Sequence, residues 1–374
     1  VKFTRRRSVI AAVTTAGAGL LAAGGVLAPW ANAATSTFIG PLQHTKVIAS
    51  TKPANGDVNP YGVAVVPRSS GNLRQGDVLV SNFNDAANVQ GTGTTIVAVS
   101  PAGKATLFAH VADKACPGGV GLTTALAVLR SGWVVVGSLP TKKGSISGPG
   151  CLIVLNSRGK VSETISGHGI DGPWDMTALD QTSASHGNGT ATLFVANVLG
   201  GILGKHNSHG GTVQRLVVTS VKGKLPRLLS STTIGSRFPA RTDPAALVIG
   251  PTGVGLGAHG TLYVADTLGS RIAAIPAAAT RHTTDGSGFT ITKGGALNGE
   301  LGLAIAPGGD ILTVNSGNGN IVETTRFGKQ VAVRTIDKNM GGAGNLFGLA
   351  VKPGADAVYF VDDFSNDNNL QLLF

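Results

Sequence analysis

DVLVSNFND (77–85), WVVVGSLPT (133–141), TLFVANVLG (192–200), TLYVADTLG (261–269), DILTVNSGN (310–318) and AVYFVDDFS (357–365) are six versions of one strand. Each runs through apolar, mostly β-branched or aromatic residues and then stops at a small polar one. Aligned on their apolar cores, they place Asn82, Ser138, Asn197, Asp266, Asn315 and Asp362 at one equivalent position. Short Val/Ile/Leu/Phe/Tyr runs bounded by Gly, Asn, Asp and Pro suit a pleated, buried strand. One such unit cannot bury both its faces, so neighbours must stack. A repeat of about 50 residues built this way predicts the blades of a propeller.

A partner strand precedes each of these. The candidates are NPYGVAVVP (59–67), GLTTALAVL (121–129), GPWDMTAL (172–179), DPAALVIGP (243–251), ELGLAIAP (300–307) and LFGLAVKP (346–353). Pro67, Pro251, Pro307 and Pro353 close four of them, as expected of a residue that cannot donate to a ladder. Third and fourth strands follow in TTIVAVSPAGKATLFAHV (94–111), CLIVLNSRGKVSETIS (151–166) and NIVETTRFGKQVAVRTI (320–336). In these, the turns PAGK, SRGK and RFGK put Gly where a tight hairpin needs positive φ. Gly-rich GPTGVGLGAHG (250–260) reads as a hairpin loop, since it lacks phosphate-cradle spacing and a following helix. The fold class is all-β, with four strands per blade. The last unit has only three strands, and HTKVIAST (44–51) is an unpaired strand near the N-terminus. Donating it to the last blade closes a six-bladed ring and removes the exposed edge.

Residues 1–33 read separately from the propeller, which occupies 34–374 as one domain. Lys2, Arg5, Arg6 and Arg7 precede a run of Ala, Val, Leu and Gly from Val9 to Leu27, and Ala31-Asn32-Ala33 fits a cleavage site. This predicts an exported, secreted or otherwise extracytoplasmic protein, sent by the general or the twin-arginine route. The two cysteines, Cys116 and Cys151, then predict one disulfide tying a blade-entry loop to that blade's third strand.

The formal charge is +11. Four of the 30 basic residues lie in the leader, so 26 face 19 acidic ones in the remainder, a surplus of +7. The basic residues are scattered and do not interleave with aromatics, which argues against nucleic acid. The surplus suits attraction to an anionic cell-surface polymer or membrane. The expectation is a monomer whose partner is a protein, a glycan or a small molecule.

TLYVADTLGSRIAAI (261–275) resembles the core of an NHL repeat: strand, Ala-Asp, turn, Arg-Ile, strand. DILTVNSGNGNIVETTRFGKQV (310–331) and residues 77–109 are similar, with Asn in place of the Asp. The resemblance implies a six-bladed propeller that binds ligands at its central channel or on one face. It does not choose a chemistry, because propellers host lyases, lactonases, receptors and scaffolds. Asp171-Gly172-Pro173-Trp174 is also similar to the entry motif of the gluconolactonase-like propellers, which hold a divalent cation on carboxylates and an Asn. That implies calcium or magnesium as the cation, with Asn82, Asp175, Asn197, Asp266, Asn315 and Asp362 as candidate oxygen ligands at the channel mouth. Of the chain's three glutamates, Glu163, Glu300 and Glu323, only Glu300 stands at a strand entry. His206 and His209 in GGILGKHNSHGG (200–211) could pair on a zinc, as in the amidating lyases, but no third ligand is identifiable. No Gly-x-Ser-x-Gly elbow occurs. The same polar ring has a purely structural reading, in which each Asp or Asn fixes its own turn. Two functions therefore stand at the sequence level. One is a non-catalytic binding or scaffold module; the other is a metal-assisted hydrolase or lyase at the channel mouth.

Overall fold

A computed structural model describes residues 37–111, 113–142, 144–183, 185–200, 207–244, 246–338, 346–363 and 368–374. The segment read as a leader, with its expected cleavage site, and His206 lie outside them. The described residues form six antiparallel sheets, the blades of a propeller. Blade 1 runs Val58–Val65, Val78–Asn84, Gln90–Val99, Ala105–His110 from the axis outward. Blade 4 (Pro251–Leu256, Leu262–Asp266, Arg271–Ile275, Phe289–Lys293) and blade 5 (Glu300–Ile305, Ile311–Asn315, Asn320–Thr324, Gln330–Thr335) repeat that order.

Strand periodicity explains why the second strands are apolar along their whole length. Alternate side chains point to opposite faces, and here each face meets a neighbouring blade. Val134 and Val136 pack towards blade 1, whereas Val135 packs towards blade 3. Likewise Leu262 and Val264 turn to blade 3, and Tyr263 and Ala265 to blade 5. Six apolar clusters result, one in each gap between blades.

The ring closes as the sequence suggests. Blade 6 contributes Leu346–Val351, Val358–Asp362 and Asn369–Leu373, and Thr45–Ser50 adds antiparallel to the last of these, Thr45 opposite Leu373 and Ser50 opposite Asn369. The segment ahead of this strand is also anchored. Ile39 and Leu42 are buried in the cluster between blades 5 and 6. The Glu323 carboxylate of blade 5 accepts hydrogen bonds from Phe38 N (2.7 Å) and Ile39 N (2.9 Å).

The structure departs from the sequence reading in three places. First, DPAALVIGP (243–251) is not the inner strand of blade 4. Its residues Leu247–Ile249 pair with the end of blade 3's fourth strand, Leu228–Asp243, as a fifth strand, and Pro251 opens the true inner strand instead of closing one. The Gly-rich segment read as a loop is that inner strand. Its glycines are required by close packing: a Cβ on Gly253 would lie 2.3 Å from Leu301 O of blade 5. Second, blade 3 has five strands, counting Pro173–Asp180, Asn188–Asn197 and Asn207–Val221 with the two just named. Third, blade 2's inner strand is broken into Gly121–Leu122 and Leu126–Val128, both on Val134–Lys142, which also carries the short Ser145–Ile146; Cys151–Leu155 and Val161–Ser166 complete the blade. The turns PAGK, SRGK and RFGK hold Gly103, Gly159 and Gly328 at φ of 86°, 78° and 92°.

Cys116 and Cys151 form the disulfide, joining the entry loop of blade 2 to its third strand with Cα atoms 5.9 Å apart. A disulfide points to an oxidising, extracytoplasmic compartment.

Candidate functional site: the central channel

The register of the six inner strands fixes which residues meet at the axis. Val63, Leu126, Met176, Val254, Leu303 and Leu349 each pair two residues ahead of the polar position on the second strand. The residues just before them are Gly62, Ala125, Asp175, Gly253, Gly302 and Gly348. This ring is small because each inner strand presses on the next: a Cβ on Gly302 would lie 2.3 Å from Phe347 O, and one on Gly348 2.0 Å from Tyr61 O. Asp175 is the exception. Its carboxylate bridges the gap to blade 4, Oδ1 accepting from Met176 N (2.8 Å) and Oδ2 from Val254 N (3.0 Å).

One residue nearer the strand starts, large side chains close the axis. Tyr61, Trp174 and Phe347 converge from three blades, with Tyr61 edge-on to Trp174 at 5.7 Å and tilted against Phe347 at 5.4 Å. Phe83 meets Phe347 edge-on at 5.9 Å. The Trp174 indole N–H donates to the Tyr61 hydroxyl at 2.7 Å. Leu122, Leu199, Val248 and Leu301 fill the spaces between the rings. Such edge-to-face contacts add to the area that the rings bury. Tyr61 and Trp174 are dry, 1% and 3% exposed, while Phe347 is half-buried.

Beyond the plug lies a cavity of about 390 Å³ enclosed by Tyr61 and the inner strands of all six blades. Its walls are aliphatic side chains and strand backbone; among the described residues, Asp175 and Tyr61 are its only titratable groups. Burial raises the Asp175 carboxyl from its ordinary 3.8 to about 7, offset in part by the two backbone N–H groups. Burial, then the nearby Asp175 charge, pushes the Tyr61 hydroxyl well above 10.

None of the six residues of the polar position is among those lining the cavity. They brace their own blades. Asn197 Oδ1 accepts from Asp171 N and Gly172 N at 3.2 and 3.3 Å. Asp266 accepts from Gly269 N and pairs with Arg271 Nε at 2.8 Å. Asn82 Nδ2 donates to Thr51 O, Asn315 Nδ2 to Ala296 O, Ser138 Oγ accepts from Gly121 N, and Asp362 accepts from Gln371 Nε2. All six are buried. Asp171 holds Gly200 N at 3.0 Å, and burial raises its pKa. Glu300 is fully buried and its carboxylate has no close side-chain partner; burial raises it to about 8, with the neighbouring Asp266 adding to the rise and the backbone N–H groups of Glu300 and Arg271 opposing it. His209 is exposed on blade 3. Among the described residues, no group of three or more His, Cys, Asp or Glu is arranged to hold a metal.

The plug and the small-residue ring did not emerge from the sequence reading. The signal was there: with 251–256 read as a strand, the aligned inner strands give Gly, Ala, Asp, Gly, Gly, Gly, and Asp175 stands out.

No family model matches the chain, and no curated protein matches its sequence. Solved structures do match in shape. A gluconolactonase from Xanthomonas campestris aligns over 90% of both chains at 12% identity with a TM-score of 0.53. Regucalcin from Agrobacterium tumefaciens, a calcium-binding protein, aligns over 89% of this chain and 93% of its own at 14% identity, TM-score 0.52. The PQQ-bound aldose sugar dehydrogenase of Streptomyces coelicolor aligns over 89% and 99% at 14% identity, TM-score 0.53. At such identity the likeness is one of fold. The chain is a six-bladed β-propeller similar in structure to gluconolactonase- and regucalcin-type propellers.

Proposed function

We propose that this NHL-like propeller is a non-catalytic, monomeric, extracytoplasmic binding module that takes a small ligand into its central channel. The observation that carries the reading is the channel itself. It is capped at one end by an aromatic plug, it has the volume of a ligand pocket, and among the described residues only one carboxylate faces it. The polar side chains that would otherwise make a catalytic ring are turned into their own blades. A second reading, a metal-assisted hydrolase or lyase using calcium or magnesium, draws its support from Glu300. That buried carboxyl lies beside Asp266, and Thr252 and Thr267 donate to its backbone carbonyl at 3.2 and 2.7 Å.

Thermal-shift measurements separate the two. A panel of compounds with four to eight carbons should raise the melting temperature of the wild type, and the rise should vanish when Ala304→Phe fills the channel. Stabilisation by calcium or magnesium alone, lost in Glu300→Gln and Asp266→Asn but kept in Ala304→Phe, would transfer the site to the second reading.

A further inference from the structure

We propose that the channel ligand is a primary amine on a slender, unbranched body, its ammonium seated on Asp175. This deepens the binding-module reading above and rests on it. Three observations on the geometry lead there.

Asp175 has no cationic partner. Its two oxygens each accept one backbone N–H, and none of the ion pairs among the described residues includes it. A buried carboxylate is costly unless it is paired, and an ammonium brings the missing charge together with three donors. The inner strands of blades 1, 2, 4, 5 and 6 face Asp175 with Tyr61 as their one titratable cavity residue, so no lysine or arginine among the described residues of the channel competes for it.

The position of Asp175 within the cavity selects the shape. It sits one step from the plug, at the deep end. The opposite end is open: Val65, Val128, Ala178, Leu256, Ile305 and Val351 are all half-buried there, in contrast to the dry Tyr61. From Asp175 to Ala178 is three residues, or about 10 Å of strand. The residues along that length are Val, Leu, Ala, Ile and Gly with Thr177, and most of their side chains pack into the gaps between blades, so strand backbone forms much of the wall and leaves room for an unbranched chain. A ligand entering from the open end therefore places its head on Asp175 and its tail towards solvent.

Place in the repeat marks Asp175 as a departure. Four of the other five blades carry Gly at this point and the fifth Ala125, and close packing against the next blade explains Gly253, Gly302 and Gly348. A carboxylate here bridges the seam between blades 3 and 4 through Val254 N and is not required by the ring, which closes without one in the other blades.

Because burial lifts the carboxyl to about 7, proton and ammonium compete for it. Affinity for the amine should fall about tenfold per pH unit below 7.

The test is calorimetric titration with n-hexylammonium chloride and, separately, 1-hexanol, on wild type, Asp175→Asn and Ala304→Phe, each checked for native circular dichroism. Hexylammonium should bind the wild type at pH 8, at least tenfold more weakly in Asp175→Asn, and not at all in Ala304→Phe. Hexanol should bind wild type and Asp175→Asn within a factor of about two. If Asp175→Asn binds hexylammonium as well as the wild type, or if wild-type affinity does not fall from pH 7 to pH 5, the amine assignment is overturned while the channel reading stands. If neither probe binds the wild type, or Ala304→Phe binds them unchanged, the channel reading falls with it.

Discussion

Replacing Asp175 by Asn gives a test of the channel's electrostatics that needs no ligand. The carboxyl is raised from 3.8 to about 7 on folding. The folded state therefore holds this proton more tightly than the unfolded chain, and stability falls as pH rises from about 4 to about 7. Integrating about 1.36 kcal/mol per pH unit over that shift gives a ceiling of roughly 4 kcal/mol, lowered by water that enters the open channel. The amide that replaces the carboxyl does not titrate, so the variant lacks this slope. Glu300, at about 8, and Asp363, at about 7, also favour their protonated forms. They are common to both proteins and cancel in the comparison. Urea denaturation of wild type and Asp175→Asn at pH 5 and pH 8 yields four free energies. The wild type should lose up to about 2.7 kcal/mol relative to the variant between the two pH values. A stability difference independent of pH, or one that favours the wild type as pH rises, would refute the claim that this carboxyl is desolvated by the channel.

Other perturbations probe the frame. Replacing both Cys116 and Cys151 by Ser releases a cross-link across 35 residues and should lower stability by about 4 kcal/mol, read from guanidinium midpoints. Gly348→Ala drives a Cβ to 2.0 Å from a backbone oxygen of the next blade and should cost about 3 kcal/mol or more, whereas Gly308→Ala, with open space around it, should stay within about 0.5 kcal/mol. Removing residues through Ser50 leaves Asn369–Leu373 as a bare sheet edge, so the shortened protein should lose its cooperative melting transition and sediment as aggregates.

The architecture was legible because a blade must bury both faces of its second strand, and that demand writes a continuous apolar run ending in one polar residue, six times over. The donated strand at Thr45–Ser50 was legible as a deficit: three strands at one end and an orphan at the other. The inner strands were harder. A strand at the axis is crowded by the next blade, so Gly253 and Gly255 replace the β-branched residues that usually signal a strand, and their segment reads as a turn. The polar ring was visible as a repeat, but the direction of each side chain depends on the register shift at the start of the inner strands. Nothing in the local sequence reveals that shift. Asp175 stood among the candidate oxygen ligands; its place against the inner strand of blade 4 belongs to the tertiary structure alone.

The donated strand also bears on how fast the ring assembles. Thr45 must find Leu373, a contact between segments separated by most of the chain. Closing a loop of that length costs roughly 5 kcal/mol of chain entropy, and topologies dominated by such contacts fold slowly. The Glu323 clasp divides the search. Once Phe38 and Ile39 dock on blade 5, the strand beginning at Thr45 is only a few residues from its anchor, and its pairing with blade 6 becomes a local event. Weakening the clasp should then slow the final folding phase more than it speeds unfolding, which makes Glu323 a residue whose role is read in rates.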